Sequence, residues 1–255
     1  MTQIWIIAKM SLLENSRKQV FHVLCLIMLA VIAGSTLLSI FTEGTKLKIL
    51  KDLCMSCILF GGAALAIALG STGIPNDVEH RTLYPIAARP ISRSRYVVGK
   101  FFGTFLTVAL GVFAMALVFG ALIYTYQRSF DTFLPLATLF ALLEVSIIAA
   151  ISTALSTIAS PAVTSLVGFL IYVCGSVKIG YFGSMIERTG NSFVKTLYSV
   201  VYHVLPNLEC FNLKTALVHN DAVPVTYLIQ VAAYGVCYAA IMLALGSMVF
   251  ARKEV

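Results

Sequence analysis

The stretch FLTVALGVFAMALVFGALIY, Phe105–Tyr124, decides the fold class of this chain. It contains no charged residue, and its apolar side chains would cover all sides of a helix. About 20 apolar residues in a helix cross a hydrocarbon core of about 30 Å, and a helix satisfies its own backbone hydrogen bonds in lipid. The stretch YLIQVAAYGVCYAAIMLALGSMVF, Tyr227–Phe250, has the same character, whereas a membrane β-barrel would alternate polar and apolar residues. The two stretches predict an all-α membrane protein.

The composition of the whole chain supports this class. Of its 255 residues 59% are hydrophobic and 11% are charged, and the mean hydropathy is +0.93, far outside the range of soluble domains. Six windows are long and apolar enough to span a bilayer, which predicts one polytopic domain over residues 1–255. The predicted spans are 20–41, 53–73, 101–126, 133–158, 162–180 and 223–250.

Residues 1–19 precede the first span and combine an apolar start, including Trp5, with a polar end. This pattern predicts an interfacial helix on the membrane surface, and a fraying polar tail is the alternative. The first apolar run is about 22 residues long, whereas the apolar part of a cleavable signal has about 7 to 15. The first span is therefore expected to remain in the protein.

The distribution of Lys and Arg predicts the orientation. With the N-terminus inside, the cytoplasmic segments carry a net charge of +6 and the outer segments +2. The densest basic cluster, Arg81 to Lys100, lies beside two spans and carries the most weight in the positive-inside rule. Both termini are expected in the cytoplasm.

That cluster belongs to the predicted cytoplasmic loop 74–100. Its sequence DVEHRTLYPIAARPISRSRYVVGK, Asp77–Lys100, holds five of the 18 Lys and Arg residues. Leu83 and Ile86 give it a short apolar face, and Ser92 is a suitable N-cap for the next span. We expect a short amphipathic element on the membrane surface; a basic loop that contacts anionic lipid is the alternative.

The order of residues in this loop resembles a known pattern. It is similar to the segment between the second and third helices of ABC transporter permeases of the type 2 exporter class. Six spans, cytoplasmic termini and a basic ending such as FARKEV also resemble that family. The residues that carry the resemblance are Glu79, Thr82, Leu83, Arg89, Pro90, Ser92, Arg93, Gly99 and Lys100.

The resemblance implies a permease subunit in a plasma membrane, such as a bacterial inner membrane. Two permease copies, identical or related, would pair, and each would offer a cytoplasmic coupling helix to an ABC ATP-binding subunit that holds ATP and Mg. His80 and Arg81 depart from the small or polar residues common in relatives. The residues that would couple to the ATPase are Glu79, Arg81, Thr82, Leu83, Ile86, Arg89, Pro90 and Arg93.

ATP binding is not expected on this chain, which needs no cofactor of its own. A phosphate-binding loop requires G-x-x-x-x-G-K-[ST], but Gly99 and Lys100 are followed by Phe101, and position 94 is Ser instead of Gly. Hydrolysis of ATP must therefore take place on a separate chain.

The outer segment 181–222 contains a second amphipathic pattern. Phe193, Leu197 and Val201 recur at helical spacing, and Pro206 ends the pattern. By the resemblance, these four residues are candidates for short outer gate helices between spans 5 and 6. A surface helix that seals the bundle is the alternative.

Glu144 lies in the middle of the fourth span. A carboxylate at this depth is costly unless it is paired, protonated or facing water, which makes it a candidate for the substrate path. Alternatively it is a structural acid that is hydrogen-bonded to a nearby Ser or Thr, such as Ser146 or Ser152, in the same helix or a neighbouring one.

Other polar residues of the spans indicate packing. Cys54 and Cys57 form an isolated C-x-x-C within a span, and the histidines have no metal-ligand spacing, so no metal is expected. Gly99 and Gly103 form G-x-x-x-G, which allows a close helix contact.

The function predicted from these features is export of a lipid-like or amphipathic substrate, because the spans contain few ionisable groups. The expected partners are the ATPase, a second permease and membrane lipid, and no nucleic acid. A polytopic membrane enzyme, such as an intramembrane protease or lipid transferase, and a membrane scaffold are the alternatives. The sequence lacks H-E-x-x-H and G-x-S-x-G, which argues against an enzyme.

Overall fold

A computed structural model describes residues 2–38, 46–79, 92–129, 131–177, 205–219 and 223–252. These residues form α-helices and one 3-10 turn, Glu209–Phe211, and contain no β-strand. The predicted all-α class is confirmed. The helices are α1 Thr2–Arg17, α2 Gln19–Leu38, α3 Lys46–Glu79, α4 Arg93–Gln127, α5 Phe133–Leu155, α6 Pro161–Ser176, α7 Lys214–His219 and α8 Val225–Arg252.

Several of these helices can cross a membrane, which makes the chain a multi-pass protein. Helices α3, α4, α5 and α8 are long and apolar enough by themselves, and α1 with α2 would add a fifth span if this pair, bent by 63°, crosses as one unit. Helix α6 is apolar but has 16 residues, or about 24 Å, which is less than the hydrocarbon thickness. Each predicted span thus contains an apolar helix, and the predicted number of six crossings stays a prediction.

Helices α3 and α4 are much longer than a bilayer requires. They contain 34 and 35 residues, so each measures about 50 Å against a core of about 30 Å. Helix α3 continues beyond Gly73, the predicted end of its span, through Pro75 to Glu79. The first six residues of the predicted cytoplasmic loop, 74–79, are therefore helical and extend the core helix toward the loop.

Helices α3, α4 and α5 form the centre of the bundle. Helix α8 packs on α4 and α5, α2 on α3 and α4, α6 mainly on α3, and α1 on α4. Small residues permit this close packing: a Cβ added to Gly62 would lie 2.7 Å from Val145 Cγ2, and one added to Gly70 would lie 2.8 Å from Ser152 Cβ. Dispersion contacts across such short separations are the main source of helix association in lipid.

A buried ion pair closes one end of the bundle. Lys51 Nζ lies 2.5 Å from Asp131 Oδ2, with both side chains at most 6% exposed, and it also donates a hydrogen bond to the Leu217 carbonyl at 3.3 Å. Next to it, Lys214 pairs with Asp52 at 3.1 Å. These contacts join the start of α3, the turn between α4 and α5, and α7. They lie at the N-terminal end of α3, whereas Glu79 is at its C-terminal end.

Candidate functional site

The bundle end at which α3 finishes and α4 begins gathers several chain segments. Tyr96 of α4 stacks on Phe250 of α8, with ring centroids 5.8 Å apart, and Arg93 Nη1 donates to the Phe250 carbonyl at 3.4 Å. Tyr96 and Phe250 belong to a small buried apolar cluster that also contains Ile7 of α1, Ile74 of α3 and Val97 of α4. Helix α1 and the end of α8 therefore lie at the same end of the bundle as the end of α3 and the start of α4.

Two of the eight predicted coupling residues lie within the described part of the chain. Glu79 is the last residue of α3, and Arg93 is the first residue of α4. The other six, which fall between residues 81 and 90, lie outside the described residues. Ser92 precedes α4 in extended conformation and accepts hydrogen bonds from two backbone N–H groups through its carbonyl, but its hydroxyl makes no cap hydrogen bond.

A cleft of 260 Å³ opens beside Glu79. One wall is the end of α3, from Ile74 to Glu79, and the other is the connection between α5 and α6, residues 156–160. Phe250 also lines the cleft. The end of α3 thus borders a recess that includes a second connection of the bundle.

Charged residues link three helices at this end. Lys100 Nζ lies 2.6 Å from Asp77 Oδ2 and 3.1 Å from Glu14 Oε2, and the Tyr96 hydroxyl donates to the same Asp77 oxygen. Lys18 pairs with Glu14 at 3.1 Å within the N-terminal segment. We call these five residues the junction network. It connects α1 to the last turns of α3 and the first turns of α4.

Glu14 is the most exposed acid of the network, with 41% of its side chain accessible. Its partial burial favours the neutral form, but the ammonium groups of Lys100 and Lys18 outweigh this effect and hold the pKa of Glu14 below its usual value. Glu14 is therefore ionised at neutral pH and balances part of the charge of the buried Lys100.

The close approach of α1 to α4 depends on two glycines, for which the sequence predicted a close helix contact without naming the partner helix. A Cβ added to Gly103 would lie 2.4 Å from Ser11 Cβ and 2.8 Å from the Ala8 carbonyl, and one added to Gly99 would lie 2.7 Å from Ile7 Cγ2. This confirms that Gly99 and Gly103 form a helix contact surface. Hydrogen bonds from Asn15 to Thr104 at 3.4 Å and from Arg95 to Gln3 at 3.0 Å lie along the same interface.

The profile of a protein family, described as ABC-2 family transporter protein, matches residues 5–255. The chain belongs to the ABC-2 family. The match covers nearly the whole sequence, so the family resemblance is shown. A search of curated proteins found no match. Membership identifies the chain as a membrane transport subunit rather than an enzyme, and membrane subunits of this family generally work with an ATP-binding subunit.

Most of the junction network was missed in the sequence of this ABC-2 permease. From the sequence, Lys100 belongs to the basic cluster and to the family pattern, and no partner is predicted for Asp77, Glu14 or Tyr96. One signal was available: Asp77 and Lys100 lie within a few residues of predicted spans, where a charge needs a partner or water. The sequence could not say that both would meet Glu14.

Glu144 lies in the centre of the ABC-2 bundle on α5 and is 3% exposed. Its Oε2 atom has no hydrogen-bond partner among the described residues. Ser146 donates to the Leu143 carbonyl of its own helix, and the Ser152 hydroxyl finds no partner in the described part of the chain. The structural alternative with a hydrogen bond to Ser146 or Ser152 is thus not seen. The role of Glu144 in the substrate path stays a prediction.

One of the four candidate gate residues of the permease lies in the described part of the chain. Pro206 is buried, and its carbonyl oxygen lies 2.9 Å from where a Cβ on Gly175 of α6 would be. Asn207 N–H donates to the Tyr234 hydroxyl of α8 at 2.9 Å, so this segment joins α6 to α8. The other three, Phe193, Leu197 and Val201, lie outside the described residues.

The cysteines of the permease agree with a packing role. Cys54 is completely buried in the main apolar core, and Cys57 is partly buried and packs against it. No group of three metal-ligating side chains occurs in the described ranges.

Proposed function

We propose that this ABC-2 permease is the transmembrane subunit of an ATP-driven exporter. A separate ABC subunit binds ATP and Mg, and two permease copies pair in the plasma membrane with their termini in the cytoplasm. The segment from Glu79 to Arg93 receives the movement of the ATPase. The substrate is lipid-like or amphipathic and leaves from the cytoplasm or the inner leaflet.

The observation that carries this proposal is the length and position of α3 and α4. Both are central helices of the bundle, both exceed the bilayer thickness, and their adjoining ends carry Glu79 and Arg93. A force applied to these ends acts directly on two of the three core helices. Rigid helices that pass from a docking surface into the core are suited to convert closure of a partner into rocking of the bundle.

The distribution of charge supports an amphipathic substrate. Between Asp52 and Asp77, α3 has no charged residue, and α4 has none between Lys100 and Arg128. Glu144 is the one acid within the six spans predicted from the sequence, and the bundle encloses it. A strongly polar solute would require more ionisable groups along its path.

The test is purification of the tagged permease from its native host in mild detergent, followed by identification of partners and an ATPase assay. We expect an ATP-binding chain in stoichiometric amount. Charge reversal by Glu79→Lys or Arg89→Glu should lower the ATPase activity that substrate stimulates and should leave membrane insertion intact.

Lys48→Glu is a matched control, because Lys48 is exposed near the start of α3, at the opposite end from Glu79. It should leave the ATPase activity unchanged. A permease that purifies alone under conditions that preserve other transporter complexes would refute the proposal. Unaltered coupling in both reversal variants would refute the role of this segment.

A further inference from the structure

We propose that Glu14, Asp77 and Lys100 are positioning residues that tie α1 to both helices flanking the coupling segment, so that α1 moves with that segment when the ATPase closes. This inference rests on the proposed function. It adds α1, which the sequence assigned only to the membrane surface, to the path of the movement.

The connection consists of two ion pairs that share one ammonium group. Lys100 is on the second turn of α4, Asp77 is two residues from the end of α3, and Glu14 is near the end of α1. Lys100 Nζ contacts both carboxylates within 3.1 Å. The two helices that enter and leave the coupling segment are thus joined to each other, and both are joined to α1.

The apolar contacts make α1 a stiff extension of α4. The glycine contacts at Gly99 and Gly103 leave no space for sliding, since Ile7, Ala8 and Ser11 of α1 fill the groove. A displacement of the α4 start must therefore shift α1 with it. The ion pairs add Asp77 and hence α3 to the same unit.

Stability alone is a weak reason for this arrangement. Removing Lys100 from water carries a large penalty, and apolar residues of similar volume commonly serve as well as a buried ion pair. What an ion pair adds is directional contact, which fixes the register of three helices. The ion pairs lie beside the coupling segment. A fixed register of the three helices there determines how movement of the segment reaches the bundle.

Trp5 offers a direct readout, because it is the only tryptophan of the chain, lies on α1 and is 64% exposed. Permease containing 5-fluorotryptophan would give one ¹⁹F resonance. The complex with its ATP-binding subunit is compared without nucleotide and after trapping with ATP, Mg and orthovanadate. We expect the resonance to shift on trapping in the wild type.

Glu14→Gln keeps the size of the side chain and removes its charge at a half-exposed site, so the variant should fold and assemble. We expect it to make the nucleotide-dependent shift smaller, because the glycine groove still carries α1 with α4 but Glu14 no longer joins α1 to Lys100 and through it to α3. The coupling of ATPase activity to substrate should fall severalfold. Lys9→Gln, which removes an exposed charge on the same helix, should retain both.

Each outcome decides the inference. A Trp5 resonance that does not respond in the wild type, or that responds equally in Glu14→Gln, overturns it. If Glu79→Lys abolishes coupling while Glu14→Gln does not, the inference fails and the proposed function survives. If no ATP-binding subunit assembles with the wild type, both fail together.

Discussion

Replacing Gly103 with alanine should push α1 away from its groove on α4. The added methyl group would lie 2.4 Å from Ser11 Cβ and 2.8 Å from the Ala8 carbonyl, whereas ordinary carbon contacts are about 3.5 to 4.0 Å. Helix α1 would have to retreat by about 1 Å along this interface. Overpacking of this kind costs about 1 to 3 kcal/mol.

The same substitution also has a favourable effect, since alanine is about 1 kcal/mol better than glycine in a helix interior. Gly34→Ala isolates that effect, because a Cβ there has no neighbour within 4 Å. The difference between the two variants in the free energy of unfolding should therefore be about 1 to 3 kcal/mol, with Gly103→Ala the less stable.

The assay is equilibrium unfolding in mixed micelles of mild detergent and dodecyl sulfate, followed by the fluorescence of Trp5. Its emission should also change in native Gly103→Ala, because α1 moves. Equal stability and equal emission of the two alanine variants would show that the groove is not tight, and the reasoning from close contact would be wrong.

Three further predictions concern single charges. Lys51→Met leaves Asp131 buried without its cation and should lower the free energy of unfolding by about 3 to 5 kcal/mol in the same assay. The double variant Lys51→Met with Asp131→Leu should recover most of this loss. An equally unstable double variant would contradict the prediction. Because the pKa of Glu14 is lowered in the folded state, its contribution to stability is complete above its ordinary pKa and is lost as the pH falls through the folded value. Acid titration of Trp5 emission, continued well below the ordinary pKa of a glutamate, should show a step that Glu14→Gln lacks, and a step of the same size in that variant would exclude Glu14. Glu144→Gln should preserve or raise stability, because it removes a buried acid whose Oε2 atom has no described partner. It should lower transport if Glu144 serves the substrate path. A large loss of stability would instead indicate a structural role.

The long apolar helices were the part of the fold that could best be predicted from the sequence. Runs such as Phe105–Tyr124 have one stable conformation in lipid, so the helices and their order could be predicted. The contact at Gly99 and Gly103 was also predictable, because a small-residue pair at this spacing has few other uses in a membrane helix. The coupling residues rest on a resemblance, and six of them lie outside the described residues.

The ionic contacts were not predictable from the sequence. Lys51 and Asp131 were placed on the same side of the membrane by their positions between spans, but a side contains many charges and pairing depends on which helices are neighbours. The same holds for Glu14 and Lys100, whose meeting depends on the path of α1 along α4. Periodicity gives the apolar face of a helix and does not say which partner covers it.

The ion pair of Lys51 with Asp131 has a consequence for biosynthesis. Lys51 enters the membrane region at the start of α3, but Asp131 is synthesised two helices later and the Leu217 carbonyl later still. During translation the hairpin of α2 and α3 must therefore insert before the contacts that neutralise Lys51 exist. This end of the bundle is therefore incomplete when α3 inserts, and the contacts of Lys51 are complete only after α7, which follows α6, has been synthesised.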